Sequence, residues 1–351
     1  MTAKRVRECI LHIGLAKTGS TSIQETLVHM AEGDGWAYPP LRDEKHSDFF
    51  FLGFAENGKN HEKFARLGLQ PFVLDQMKAD LLGSIARAFE TARHSRIILS
   101  SEGLPALSEA DLVQLRAWLL ARADRIRVFG FVRPPVELAE SVFQQQLKVR
   151  VPIAWPKVRR FRKMLRKFDD VFGCENVTLM KFDPKEFVNG CAVQTFSRAL
   201  DLNIPTERIL RRNEGMSASA AALLYVYRQF GPELGIGAEA MQKNRRLCQH
   251  LIGWKGEKLR FAGWRHVVAL AAAKEDVQWA ERRLQRPMVD WAALEGRVGM
   301  ADDTDFYKLA AASIGRLVDE AGIAAPATLS PKDIAMAVDR AKHALSDAWA
   351  D

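Results

Sequence analysis

Between Gly14 and Ser22 the chain reads Gly-Leu-Ala-Lys-Thr-Gly-Ser-Thr-Ser, two glycines in G-x-x-x-x-G spacing with a lysine inside and hydroxyls after. Small residues let backbone N–H groups close on an oxyanion, and a helix starting there adds unpaired donors and the positive end of its dipole. Lys17 would add a full charge. Thr18, Ser20, Thr21 and Ser22 can donate hydroxyl hydrogens to the same anion. A second constellation is Arg133-Pro134-Pro135 with Ser141 eight positions after the arginine, where a guanidinium can grip a phosphate in bidentate fashion and a hydroxyl can complete the grip. Two groups can take a proton: Glu102, ending Ser100-Ser101-Glu102, and His46 in Lys45-His46-Ser47-Asp48.

These residues need a scaffold that brings them together. Cys9 to Ile13 is a mostly apolar run closed by Gly14, the mark of a buried parallel strand. Ile23, Leu27 and Met30 then recur on one stripe of a helix starting near Gly19 or Ser20. Arg96 to Glu102 and Arg127 to Arg133 read as further buried strands with polar carboxyl ends, and open α/β sheets collect ligands outside such ends. Gly14, Lys17, Glu102 and Arg133 therefore should face one crevice. The plainer alternatives are a tight turn with a surface lysine and, for Glu102, a helix cap or structural ion pair.

The first loop resembles the 5′-phosphosulfate loop of the sulfotransferases that use 3′-phosphoadenosine 5′-phosphosulfate (PAPS). In that family the lysine comes three residues after the loop's first glycine, as in Gly14-Leu-Ala-Lys17. The usual nucleotide-hydrolase lysine after the second glycine is absent here, and Ser20 stands in its place. Arg133, the proline turn and Ser141 are similar to the family's 3′-phosphate pattern, with Pro134 replacing the usual aspartate. Bacterial members often carry a similar Ser-Ser-Glu. The resemblance covers about the first two thirds of the chain. It implies a three-layer α/β fold of the P-loop type, a central parallel sheet with helices on both faces, extended by a helical C-terminal part. It also implies PAPS as donor, 3′-phosphoadenosine 5′-phosphate (PAP) as product, and a hydroxyl-bearing acceptor such as a carbohydrate, glycolipid or small molecule. Lys17 would act on the transferred group, with Glu102 or His46 as base. Gly14, Lys17, Thr18, Gly19, Ser20, Thr21, Ser22, Arg133 and Ser141 would hold the donor. No metal is expected.

At 351 residues, 48% hydrophobic and 27% charged, the chain has the composition of a globular protein. Its net charge of +8 favours anionic partners without choosing among nucleotide, nucleic acid, glycan and membrane surface. Residues 1 to 8 are polar and the apolar run after them is too short for a span, so a cytoplasmic protein without membrane helices is expected. Four cysteines without C-x-x-C spacing read as reduced and structural.

Helices are expected over 74–91, from the capping box Ser108-Glu-Ala-Asp111 to about Leu120, over 185–202, and from Ser217 to Phe230. The basic run 157–167 reads as a helix with an apolar stripe, its charged face either solvated or open to an acidic substrate. Arg211-Arg-Asn-Glu214 before Ser217 gives weak further likeness to the family. The composition changes after Gly231-Pro232, which divides the chain into a catalytic core, 1–232, and a mainly helical extension, 233–351. Trp254, Lys258, Arg260, Phe261 and Trp264 interleave basic and aromatic groups; they are core, a surface that stacks on single-stranded nucleic acid, or, as the resemblance implies, a late basic loop over the adenosine and 3′-phosphate of the donor. Two rival classes are a P-loop kinase or nucleotide hydrolase, which should carry lysine at position 20 and a strand ending in aspartate, and a non-catalytic nucleic-acid-binding protein, which would explain the basic charge but not the paired anion sites. The acceptor and the oligomeric state are left open by the sequence.

Overall fold

A computed structural model describes residues 5–15, 17–41, 46–60, 64, 67–149, 155, 158, 160–210, 215–233, 235 and 238–347. Its strands are β1 (Val6–Ile13), β2 (Glu32–Gly33), β3 (Trp36–Ala37), β4 (Arg96–Ser101), β5 (Ala123–Val132) and β6 (Val177–Lys181). The helices are α1 (Ser20–Met30), α2 (Ser47–Phe54), α3 (Pro71–Glu90), α4 (Glu109–Leu120), α5 (Pro135–Val149), α6 (Phe161–Phe172) and α7 (Ala192–Ala199), then α8 (Ala218–Phe230), α9 (Ala238–Ile252), α10 (Gly263–Ala271), α11 (Lys274–Leu284), α12 (Asp303–Ala321) and α13 (Pro331–Asp347). Lys45, Lys157 and Arg211–Glu214, which the sequence singled out, lie outside the described residues.

All of β1 except Arg7 is buried, which is why the strand runs apolar instead of alternating. The sheet order is β2-β3-β4-β1-β5-β6, and every pairing is parallel except β2 with β3. Ile10, Ile98, Phe129 and Phe131 share one face of the sheet and pack with Ile23 and Leu27 of α1 and Val193 and Phe196 of α7. The opposite face, with Leu11, Leu99 and Val128, is equally buried, and α4 and α6 both pack on β5. This is the expected α/β architecture, a largely parallel sheet between two helical layers. Because β4 lies on one side of β1 and β5 on the other, the chain reverses direction across the sheet at β1, and the carboxyl ends of these three strands open at a topological switch point.

The capping box before α4 forms as expected, with Ser108 and Asp111 bonding reciprocally to each other's backbone N–H. The helix expected over 185–202 shrinks to Ala192–Ala199. Asn189 and Gly190 both adopt positive φ, 49° and 64°, a turn that breaks the helical run ahead of α7.

The chain forms two compact units, Met1–Pro134 with Arg160–Arg212 and Glu275–Met288, and Pro135–Arg159 with Asn213–Lys274 and Val289–Asp351. The boundary expected at 232 thus falls inside the second unit. That unit is built around α8, in which every side chain from Ala220 to Arg228 is buried; a helix apolar on all sides needs partners all round. α5 belongs to its core through Phe143 and Leu147. Conversely, the segment from Glu275 joins the sheet unit. Asp276 accepts hydrogen bonds from the N–H groups of Phe161 (2.5 Å) and Arg162 (2.9 Å), capping α6, and Arg283 forks onto Asp169 with two 2.8 Å bonds. No helix among the described residues is long and apolar enough to cross a membrane.

Candidate active site

The loop after β1 turns where the sequence predicts. Gly19 (φ 75°) and Lys17 (φ 65°) both take the left-handed conformation, which is free for glycine and costs a lysine on the order of 1 kcal/mol. At Gly19 a Cβ would also stand 3.1 Å from Ala192 Cβ, so the position needs glycine for room as well as for φ. Helix α1 begins at Ser20 with no side chain capping its N-terminus and no acidic residue in its first turn. α4, α8 and α12 have side-chain caps, whereas α2, α3, α6, α7 and α10, like α1, have none at the N-cap residue. An uncapped helix start beside a lysine is an arrangement that receives an anion.

Glu102 is placed against the beginning of this loop. Gly14 N–H donates to the Ser101 carbonyl at 2.9 Å, and a Cβ on Gly14 would stand 2.9 Å from Glu102 Cγ and 3.0 Å from its backbone nitrogen. The first loop glycine therefore exists to let the end of β4 approach, and Glu102 itself is exposed. Arg133, just past β5, donates from Nη1 to the Lys17 carbonyl at 2.7 Å, and its guanidinium lies 5.4 Å from the centre of the Phe182 ring. Lys17, Glu102 and Arg133 are thereby brought together in the sheet unit. Ser141, on α5 about two turns after Pro135, belongs to the helical unit.

Two expectations change. Thr18 and Ser20 are buried, and both hydroxyls donate to the Leu15 carbonyl, at 2.5 and 3.2 Å. They hold the loop closed from within, the Leu15 oxygen having no backbone partner among the described residues. Thr21 is only half-buried, and its hydroxyl makes no hydrogen bond among the described residues, which suits it better to an incoming anion. His46 is wholly buried and stacks on Tyr38 with ring centroids 4.2 Å apart. Its Nδ1 accepts from the Ser100 N–H at 3.3 Å and its Nε2–H donates to the Pro39 carbonyl at 2.8 Å. Both nitrogens are committed to the backbone, which leaves no lone pair for an acceptor's proton.

His12, which the sequence reading passed over as part of an apolar strand, lies buried beneath α1. Gln24 Nε2 donates to Ser100 Oγ at 3.0 Å, and Ser100 Oγ lies 2.7 Å from His12 Nδ1. His12 Nε2 is buried and has no hydrogen-bond partner among the described residues. The trio ties β1, β4 and α1 together. Burial pushes the His12 imidazole down from its ordinary value of 6.5 to about 3. Below pH 6.5 the unfolded chain therefore binds a proton that the folded chain refuses, and stability falls as pH falls. His12 is expected to contribute a slope approaching about 1.4 kcal/mol per pH unit in urea unfolding, absent in His12→Gln. Equal slopes for the two proteins would contradict a neutral buried imidazole.

No protein family matches the chain, and no curated protein matches it either. Among solved structures, a sulfotransferase from Alicyclobacillus acidocaldarius is similar at a TM-score of 0.40 and 15% identity, the alignment covering 82% of this chain and 99% of that one.

Proposed function

We propose that the chain is a sulfotransferase that moves a sulfuryl group from PAPS to the hydroxyl of a carbohydrate, glycolipid or small molecule. The observation that carries the reading is the uncapped, left-handed turn between β1 and α1, with Lys17 at its apex, Arg133 bonded to the Lys17 carbonyl and Glu102 seated on Gly14. Two cations and a helix N-terminus suit a doubly anionic nucleotide, and the lysine's place within the loop is that of the sulfotransferase pattern. The donor brings the activated sulfuryl group and a phosphate oxygen as leaving group. Within this reading the exposed Glu102 takes the acceptor's proton, and His46, bound on both nitrogens, keeps a structural part. Lys17 and the start of α1 offset the charge that develops on the departing oxygen. Arg133 holds the loop and grips phosphate, fixing position.

The kinase or nucleotide-hydrolase reading asks for a lysine where Ser20 stands, and Ser20 is buried and bonded inward. Thermal unfolding separates the two. PAP at a hundredfold excess over its Kd should stabilise the protein by about 2.7 kcal/mol, AMP should do much less, and Arg133→Ala should lose most of the PAP effect. Stabilisation by ATP with magnesium and none by PAP would replace the sulfotransferase reading with the kinase one.

A further inference from the structure

The helical unit contains a cavity of about 110 Å³ between the first turns of α5 and α10. Apart from Pro135 of the proline turn, none of its residues has a part in the sulfuryl-transfer reading proposed above. Cavities of roughly 150 Å³ hold a benzene molecule, so this one suits a single six-membered ring whose substituent reaches the mouth. Its walls combine aromatic rings with aliphatic side chains such as Val136, Val158, Val268 and Leu270. Trp155 and Phe261 have ring centroids 5.2 Å apart and tilted by 57°, Trp264 stands at the rim with 56% of its surface exposed, and Ala139 of α5 forms part of the wall. Tilted and edge-on rings at such spacings favour another flat ring among them.

One cation is set into this wall. The Arg265 guanidinium lies 3.7 Å from the centre of the Trp155 ring and 4.9 Å from that of Trp264, while its Nε donates to the Ala301 carbonyl. Among the described residues its terminal nitrogens have no hydrogen-bond partner and no carboxylate lies at ion-pair distance. Asp302, the adjacent acid, caps α12 through the N–H groups of Thr304 and Asp305, and these bonds first, with the Arg265 charge a smaller cause, hold its carboxyl below the usual carboxylate range. The other acid at this place does not oppose an anion. Glu140 is bound by Arg297 at 2.6 Å, by Phe261 N–H at 3.0 Å and by the cavity-lining His266 at 3.3 Å.

We propose that this cavity is a binding site for a flat aromatic group carrying an anionic substituent, the ring among Trp155, Phe261 and Trp264 and the anion on Arg265. Stacking holds the guanidinium in place before any ligand arrives, so its bidentate donors are already oriented.

Saturation-transfer NMR on the full chain tests this with benzoate, benzamide and cyclohexanecarboxylate. Benzoate is expected to give a saturable response, with benzamide and cyclohexanecarboxylate each at least tenfold weaker. Arg265→Gln should bring benzoate down to the benzamide level, and Ala139→Phe, which fills the cavity, should abolish both. No saturable benzoate response, or unchanged benzoate binding in Arg265→Gln, would overturn the site. Benzamide binding as tightly as benzoate would remove the anion from the assignment, and cyclohexanecarboxylate doing so would remove the aromatic group. If Ala139→Phe does not fold, the half-exposed Arg265→Gln decides the matter, because a packing role for the Trp155–Arg265 stack predicts no difference between benzoate and benzamide in the wild type.

Discussion

In the sulfotransferase proposed above, Lys17→Gly is expected to lower the rate of sulfuryl transfer about 10²- to 10³-fold, the usual effect of deleting one group that holds transition-state charge, while leaving stability within about 1 kcal/mol of the wild type. The two effects separate for a structural reason. Lys17 occupies a left-handed conformation, φ 65°, that glycine adopts without steric cost, so the substitution relieves local strain as it removes the cation. The carbonyl that accepts from Arg133 remains with any side chain at this position. Steady-state kinetics beside urea unfolding measure both quantities. Turnover at the wild-type level would show that the loop lysine does not act on the transferred group. A collapse of stability together with rate would show instead that the side chain holds the fold.

The second large effect is expected at Glu102. Glu102→Gln keeps the shape that packs on Gly14 but cannot accept a proton, and the transfer rate should fall about 10²- to 10⁴-fold. PAP should stabilise this variant as it does the wild type, since the carboxylate is no part of the anion grip. Glu102→Ala should recover part of its activity when formate is added, because a small carboxylate can enter the space left behind. If Glu102→Gln turns over normally, the proton goes elsewhere, and His46 does not become the candidate without releasing Pro39 and Ser100 from both its nitrogens.

Elements governed by neighbouring residues were legible in the sequence. β4 and β5 fall on the segments expected from their apolar runs, and α4 starts on Ser108 because its capping box is complete within four residues. The helix expected over 185–202 is cut short locally as well, since Asn189-Gly190 forms a turn. The division at 232 differs from the two compact units for another reason. A composition change marks where the chain alters character, and it says nothing about which distant segment fills a given gap. Glu275–Met288 returns to the sheet unit because Asp276 supplies the cap that α6 lacks in its own sequence, 115 residues away.

The candidate site divides along the same line. The sequence by itself determined that a strand, a glycine-bounded turn carrying Lys17 and a helix follow one another, because glycine spacing, strand burial and the helical stripe of Ile23 and Leu27 are all properties of adjacent residues. It also put Glu102 and Arg133 at strand ends, which the general geometry of parallel sheets sends to one crevice. Only the tertiary structure decided how those groups meet. It brought Arg133 onto the Lys17 carbonyl across 116 residues and Glu102 onto Gly14, turned the Thr18 and Ser20 hydroxyls inward, and buried His46 and His12. A side chain's chemical type is written in the sequence. Whether its lone pairs and protons are free depends on backbone groups from other strands, and those are fixed only when the sheet closes and each buried polar group must find a partner.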